Sequence, residues 1–483
     1  MSDATATEAR AGQRLDAFPY RHRLAEVMVT PLCAPPGLSL GDAARLMLER
    51  GTGSLLVEAP GGQVLGIVTE HDAMKALARH PGDPSQLTIR EVMSAPIATM
   101  SGESFVYRAL GRMGRLGYRH LGVTDAAGRI VGIVSARLIL RRRVGGGLTL
   151  GDAIDAAADG AALAAARAEL PELAQRLLDE GLQATEVAAL LSATLCDITA
   201  RAAQLAAAET ERERGPAPAP WCVLVLGSGG RGESLLSADQ DNAIIHAAGD
   251  DGWYAAVGQR MADLLDQAGI PYCKGGVMAA RPGWRGDPVA WRTRVAEWLR
   301  RAQGEALLDV DIFFDFRAVS GERALAASLR ADALAAAKGA PAFLRQLAEQ
   351  ASSHGAALSL LGRFRLQDGR VDLKAGGLLP LVGAARVLAL ANGIGETETA
   401  ARLRAAADRG KLSGEDLERL LEARAVLTET MLRQQLADIA AGRAPSSKID
   451  PRALSRTERT RLKEALGAIR LIPDIVRGAL AAA

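Results

Sequence analysis

Hydrophobic and polar positions divide the chain into stretches of different period. Two stretches near the N-terminus follow one plan, from about Val27 to His80 and from about Val92 to Arg143. Each opens with Val-Met and continues with an amphipathic helix signal, a short apolar strand, a turn with glycine and a second strand running into a helix. The first strands read SLLVEAP and HLGVTDA, the turns carry Gly61-Gly62 and Gly128, and the closing segments read GQVLGIVTEHDAMKAL and GRIVGIVSARLILRR. A repeat of about 65 residues with a shared GIV[TS] core marks tandem units. Residues 150 to about 214 are Ala-rich, with apolar positions at helical spacing in LAQRLLDEG and VAALLSATLCDITARAAQLA. GPAPAP (215–220) is a stiff lead into an apolar run, Val223–Leu226, that predicts a buried strand. A turn at Gly227-Ser228-Gly229-Gly230, a short helix-like polar segment and a second strand opening at Asp239-Gln240-Asp241-Asn242 come next. Beyond His246 the pattern predicts a helix over Trp253–Ala268, a strand edge and turn over Pro271–Met278, and an alternating apolar and acidic strand in LLDVDIFFDFR (307–317). From about Glu322 the pattern is almost wholly helical, with breaks at glycines and at Pro445 and Pro473.

The length of 483 residues is enough for two to four domains. Hydrophobic residues at 48% and charged residues at 24% give a globular balance, and 4% aromatics with abundant Ala point to helix-rich cores. A net charge of +2 argues against general nucleic-acid binding. The one basic cluster, Arg137–Arg143, is expected to close a helix, where cations suit the C-terminal dipole. Four cysteines without a C-x-x-C pair argue against a zinc knuckle and a disulfide framework. There is no signal peptide pattern and no apolar run of 18 residues, so a soluble cytoplasmic protein without a membrane partner is expected. The polar residues 1–20 are expected to be loosely ordered.

The chemistry concentrates in Trp221–His246. Residues two apart on a strand share a face, ~6.5–7 Å apart, so Asp239 and Asp241 can converge on one divalent cation. Mg²⁺ prefers such carboxylates together with substrate phosphates. Gly227 and its neighbours allow backbone N–H groups to approach a phosphate. Ser228 adds a hydroxyl, and Arg231 a planar fork matched to phosphate oxygens.

GSGGRGE…SADQDNAII resembles the signature of the DNA polymerase β-type nucleotidyltransferases. The nearest branch is the DUF294-type signal-transduction nucleotidyltransferases, which carry cystathionine-β-synthase (CBS) domains. These are similar to protein-PII uridylyltransferases and glutamine synthetase adenylyltransferases. The repeated units likewise resemble a CBS pair, expected to pack as one module and to favour a homodimer. The resemblance implies a multidomain α+β chain. Its parts are a flexible N-terminus (1–22), a tandem α/β CBS pair (23–145), a helical segment (150–214), a polymerase β-like domain with a mixed sheet (215–325) and an all-α C-terminal domain (326–483). That last domain is the implied acceptor-binding part.

The resemblance also implies the roles. Gly227, Ser228 and Arg231 hold triphosphate, while Asp239, Asp241 and a third carboxylate hold two Mg²⁺ or Mn²⁺ ions. Asp315-Phe316-Arg317 with Gly321-Glu322 matches the relatives' acid-x-Arg pattern, which makes Asp315 the third ligand and Asp309 and Asp311 its rivals. A structural Asp315–Arg317 ion pair is the plainer alternative. VDLKAGG (371–377) resembles the relatives' D-x-K-x-G-G segment, in which Lys374 reaches phosphate or belongs to a solvated loop. Glu233 is expected to cap or orient the Gly-Ser turn, and His246 to pack at a strand end. In the CBS pair, GIVTEHD matches the family's nucleotide pattern through Thr69 and Asp72, whereas GIVSARL keeps Ser135 but has Leu138 in place of the acid. Thr69 and Asp72 equally suit a helix N-terminus. The implied activity is transfer of NMP from an NTP to an acceptor, a protein hydroxyl in the nearest relatives, under control of AMP, ADP or ATP at the CBS pair. The other reading is a non-catalytic adenine-nucleotide sensor acting through partner binding. About 25 residues precede the first unit, too few for the relatives' cyclic-nucleotide-binding domain, so no cyclic-nucleotide input is expected.

Overall fold

A computed structural model of the chain describes residues 22–80, 82–139, 146–301, 312–353, 355–359 and 362–481. Two compact units divide between Leu148 and Thr149. The expectations for residues 1–20, for most of the Arg137–Arg143 cluster and for Asp309 and Asp311 fall outside the described residues.

The N-terminal unit uses one motif twice. Its first copy holds β1 (Cys33–Ala34), α1 (Leu40–Glu49), β2 (Ser54–Glu58), β3 (Val64–Thr69) and α2 (Glu70–Arg79). Its second holds β4 (Thr99–Ser101), α3 (Val106–Leu116), β5 (His120–Thr124) and β6 (Ile130–Ser135). In each copy the first strand pairs parallel with the second, and the second antiparallel with the third. Both hairpins carry a bulge at the same place, Val57/Glu58 and Val123/Thr124. Apolar positions three and four apart explain α1 and α3, which turn Ala43 and Met47, and Ala109 and Met113, into their own copy's core.

The Val-Met openings are exchanged between the copies. Val29 bridges Ile133 of the second copy, and Ser94 bridges Ile67 of the first. The glycine of each GIV core makes the approach possible. A Cβ on Gly66 would lie 2.7 Å from the Ser94 carbonyl oxygen, and one on Gly132 would lie 2.3 Å from Met28 Sδ. Leu56, Ile67 and Ile133 form a small core shared by the two copies. The pair is therefore one packed module.

The second unit is built on a four-stranded sheet in the order β10-β7-β8-β9, from β7 (Trp221–Val225), β8 (Asn242–His246), β9 (Arg285–Gly286) and β10 (Arg317–Gly321). Only β8 and β9 run parallel. Three shorter helices lead into α4 (Ala184–Arg214), which packs along α6 (Asp251–Gln267) on the sheet. The five-residue α5 (Gly227–Arg231) joins β7 towards β8, and α7 (Pro288–Arg301) follows β9. After β10 come α8 (Arg323–Lys338), α9 (Pro341–Ser353), α10 (Leu379–Ala391), α11 (Thr399–Asp408), α12 (Gly414–Ala440), α13 (Arg456–Ala468) and α14 (Ile472–Ala481). A two-stranded ribbon, β11 (Val371–Asp372) with β12 (Lys448–Ile449), interrupts this helical region.

Two local expectations change. Residues 312–315 form a helical turn, and the strand begins only at Arg317. Phe313, Phe314 and Phe316 are all buried in a cluster with Trp291, Trp298 and Phe343, which a strand exposing alternate residues could not achieve. Pro271–Met278 is a loop with a tight turn rather than a strand edge. Among the described residues one stretch, Lys374–Ala391, has the length and apolar composition of a membrane span, with mean hydropathy 1.4. Of that stretch 78% is buried, because α10 is the central helix of the C-terminal region, packed on α9, α11 and α14.

Gly66→Ala is expected to destabilise the N-terminal unit by about 1–3 kcal/mol, the usual cost of overpacking. Urea unfolding of the full chain measures it, and an unchanged first transition would contradict the exchanged packing.

A candidate nucleotide and metal site

The Gly-Ser turn is shaped by backbone contacts. Gly227 has φ +57, in the left-handed region, which glycine enters without steric cost. A Cβ on Gly230 would lie 1.6 Å from the Asp315 carbonyl oxygen, so only glycine lets the turn close on the segment before β10. Ser228 Oγ lies 3.0 Å from Ser234 Oγ.

The four residues Asp239–Asn242 alternate in role. Gln240 and Asn242 are buried and point inward. The Gln240 amide donates to the carbonyls of Ala262 and Ile270, both at 2.9 Å, and its backbone N–H donates to Pro271 O at 3.1 Å. Asn242 donates its backbone N–H to Val277 O at 3.0 Å and accepts from the Ala279 N–H at 2.9 Å. Together they strap the 271–279 loop to the sheet. Asp239 and Asp241 face the other way, Asp239 exposed and Asp241 partly buried, with the Cys273 thiol of that loop opposite them. Ligand atoms of Asp239, Asp241 and Cys273 all lie within 4.8 Å of one another. Asp241 Oδ1 is buried without a hydrogen-bond partner. Burial and then the neighbouring Asp239 push the Asp241 carboxyl up to about 7, against the opposing pull of Cys273, Lys374 and Arg231. An orphaned buried oxygen beside a second carboxylate fits a divalent cation.

Two cavities meet at this surface, of about 620 Å³ and about 550 Å³. They share a wall of Ser228, Arg231, Asp239, Lys374, Leu379 and Val382. The first adds Gly227, Asp241, Cys273 and Arg386. The second extends between α11 and α12, past Glu233, Thr428, Met431 and Gln435. Both volumes lie in the range of small-molecule sites.

Lys374 opens a π-helical turn, Lys374–Leu378, before α10. Asp372 Oδ1 accepts from the backbone N–H groups of Lys374 and Ala375, both at 3.0 Å. This carboxylate therefore shapes the turn, and the exposed Lys374 lines both cavities. Gly376 serves packing, since a Cβ there would lie 2.5 Å from the Ala357 side chain.

Asp315, expected as the third metal ligand, has a different environment. It is fully buried and surrounded by three arginines. Arg231 Nη1 donates to it at 2.6 Å, Arg386 Nη2 at 2.5 Å and Arg402 Nη1 at 2.6 Å, with Arg386 Nε at 3.2 Å. Both carboxylate oxygens are thus occupied by guanidinium groups, and Asp315 does not join the Asp239–Asp241–Cys273 group. Its plainer alternative changes too, because the partners are these arginines rather than Arg317. Arg231 is correspondingly committed, to Asp315 and to Glu233 at 2.9 Å. Burial opposes its charge while Asp315 and Glu233 hold its pKa above the ordinary value. Burial and then Arg402 and Arg231 lower Arg386 well below its ordinary value.

Glu233 does more than orient the turn. It accepts from the Thr399 N–H at 2.8 Å and the Thr399 hydroxyl at 3.0 Å, and Arg424 lies 3.4 Å away. It joins the Gly-Ser turn to α11 and α12. His246 stacks on Tyr254 at 4.0 Å, packed at the end of β8. Cys273, Arg386, Arg402, Thr399 and Arg424 escaped sequence reasoning because each comes from a distant segment. The strand expected to open at Asp239 begins only at Asn242, yet the period-two alternation of the sequence could still have placed Gln240 and Asn242 on the inner face.

In the N-terminal unit, Thr69 and Asp72 form a capping box at the start of α2. The Thr69 hydroxyl donates to Asp72 Oδ2 at 2.6 Å, and the Ser94 hydroxyl donates to Oδ1 at 3.0 Å. Ser135 accepts from the Leu138 N–H at 3.1 Å. All three residues therefore have local structural work.

Residues 168–305 match the family model "Putative nucleotidyltransferase DUF294", and residues 341–479 match "Putative nucleotidyltransferase substrate binding domain". Residues 24–79 and 89–145 match the CBS domain. The chain belongs to the CBS-domain-containing branch of the DUF294 nucleotidyltransferase family. It is 32% identical over 106 residues to an uncharacterized 17.7 kDa protein of Acidianus ambivalens, covering 22% of this chain and 63% of that protein. It is 30% identical over 100 residues to an uncharacterized protein of Methanopyrus kandleri, covering 21% and 51%. The chain thus spans 63% and 51% of the lengths of these curated relatives. Among solved structures, a CBS-domain protein of Agrobacterium tumefaciens is similar at 25% identity and TM-score 0.24, over 25% of this chain and 92% of that one. A CBS-domain protein of Pyrobaculum aerophilum complexed with AMP is similar at 21% identity and TM-score 0.23, over 25% and 98%.

Asp315→Asn is expected to cost about 3–5 kcal/mol, because it strands buried guanidinium groups. Asp239→Asn at the exposed carboxylate should leave stability unchanged within about 0.5 kcal/mol or raise it slightly by relieving repulsion. Urea denaturation separates the two, and equal losses would contradict this division of labour.

Proposed function

We propose that the second unit transfers a nucleoside monophosphate from an NTP to an acceptor hydroxyl. The observation that carries the reading is the convergence of Asp239 and the orphaned oxygen of Asp241 on the cavity lined by Gly227, Ser228 and Lys374. Asp239 and Asp241 hold divalent metal, Mg²⁺ or Mn²⁺, which when bound neutralises charge on the reacting phosphate and lowers the pKa of an attacking hydroxyl. Ser228 and the α5 backbone orient the terminal phosphates. Lys374, exposed in the wall that the two cavities share, places a point charge on these phosphates. Arg231 and Arg386, largely buried at the edge of the cavity lining, add a positive field that their burial strengthens. Catalysis of this kind is positioning and charge neutralisation, consistent with His246 being packed away. The acceptor enters from the α11–α12 side, and a protein hydroxyl is the acceptor class proposed. The CBS module binds an adenine nucleotide, with Thr69, Asp72 and Ser135 at its edge, and such binding gates the transferase in a cytoplasmic homodimer that relays a signal.

Incubation of the purified chain with each α-³²P-labelled NTP, Mg²⁺ or Mn²⁺ and cell lysate tests the reading. Label should reach an acceptor with the unmutated chain and be abolished by Asp239→Ala with Asp241→Ala. Transfer by that double variant sinks the assignment. Lys374→Ala should raise KM for NTP about tenfold or more, as expected for a lost charge-assisted contact of ~1.5–3 kcal/mol. An unchanged KM removes Lys374 from the phosphate site.

A further inference from the structure

Cys273 is placed with unusual care for a loop residue. Its loop is held by five hydrogen bonds already described or local to it. Gln240 N–H reaches Pro271 O, Gly276 N–H reaches Cys273 O, Met278 N–H reaches Gly276 O, Asn242 N–H reaches Val277 O, and Ala279 N–H reaches Asn242 Oδ1. The residues that alternate with the two carboxylates are thus the ones that fix the thiol opposite them. The result is one sulfur and two carboxylate ligands within 4.8 Å of one another, in which the thiol interacts with the Asp241 carboxylate while Asp241 Oδ1 is buried with no hydrogen-bond partner of its own. The cavity gives a small ion access, since Asp239, Asp241 and Cys273 all line it.

We propose that Cys273 completes a three-ligand centre with Asp239 and Asp241 that accepts a thiophilic divalent cation, zinc above all, in competition with magnesium. Ligand type is the reason. A hard ion such as Mg²⁺ gains nothing from sulfur, whereas Zn²⁺ binds thiolate and carboxylate together. On binding, the S–H bond breaks, the sulfur bonds to the ion, and the proton passes to solvent. Zinc so held occupies the carboxylates that magnesium needs, which makes the centre a point of inhibition. The proposal rests on the nucleotidyl-transfer reading for that consequence and on the placement of the three ligand atoms alone for the binding.

Cadmium is the probe, through its ultraviolet thiolate-to-metal charge-transfer band, on the full-length chain. The exposed Cys33 is replaced throughout by Cys33→Ser to remove a surface thiol. The band should appear with Cd²⁺ and be displaced by Zn²⁺ but not by equal Mg²⁺. Cys273→Ser should abolish it. Asp239→Ala with Asp241→Ala should raise the Cd²⁺ Kd about 10-fold or more, the scale of damage to a metal site's supporting groups. Independently of these variants, Zn²⁺ should slow alkylation of Cys273 by iodoacetamide, followed by peptide mass. A band that survives Cys273→Ser, or no band and no protection in the parent chain, overturns the proposal. A band behaving as expected in a chain that transfers no nucleotide leaves the thiol centre standing and removes the transferase reading. Transfer without the band does the reverse.

Discussion

Asp315 is the group on which the second unit depends. A lone carboxylate without solvent access would carry a large desolvation cost, as would three guanidinium groups in the same dry space, and each offsets the other. Each partner comes from a different part of the chain. Arg231 ends the Gly-Ser turn, Arg386 lies in α10, and Arg402 lies in α11. The carboxylate therefore ties the phosphate-type turn to the helical region that closes over it. Glu233 makes a second tie, through Thr399 and Arg424. Arg231, Arg386, Arg402 and Arg424 stand against Asp315, Glu233 and the half-exposed Glu398, which leaves one positive charge over in the cluster. Through Arg231 and Arg386, which also line the cavity, the interaction that holds the fold gives the site a positive wall.

Alternate facing of the four residues Asp239–Asn242, three of them just ahead of β8, performs the second division of labour. Asp239 and Asp241 face the cavity, while Gln240 and Asn242 face the core and carry the 271–279 loop. A carboxylate pair on a free loop would relax apart under its mutual repulsion. Here the intervening residues are locked by buried hydrogen bonds, so the pair stays together, and burial and then Asp239 raise the Asp241 carboxyl.

The sequence made visible what local pattern controls. The repeated strand-helix units, the turn after Val223–Leu226 and the acidic pair ahead of Asn242–His246 all follow from periodicity and glycine placement. Long-range contacts stayed hidden. The exchange of Val-Met openings between the CBS copies depends on tertiary packing over Gly66 and Gly132. The segment at 307–317 read as a strand because acids and apolar residues alternate, yet the aromatic cluster around Phe313 overrides that alternation. Asp315 matched a family pattern for a metal ligand, but its partners Arg386 and Arg402 lie 71 and 87 residues further on. No local motif announces them.

The most direct test is Mn²⁺ binding to the full-length chain, followed by electron paramagnetic resonance with and without a non-hydrolysable NTP. Protein-bound Mn²⁺ that tightens when the nucleotide is present, and disappears on Asp239→Ala with Asp241→Ala, is the predicted result. Equal Mn²⁺ binding by that double variant would contradict a metal-and-triphosphate site at these carboxylates.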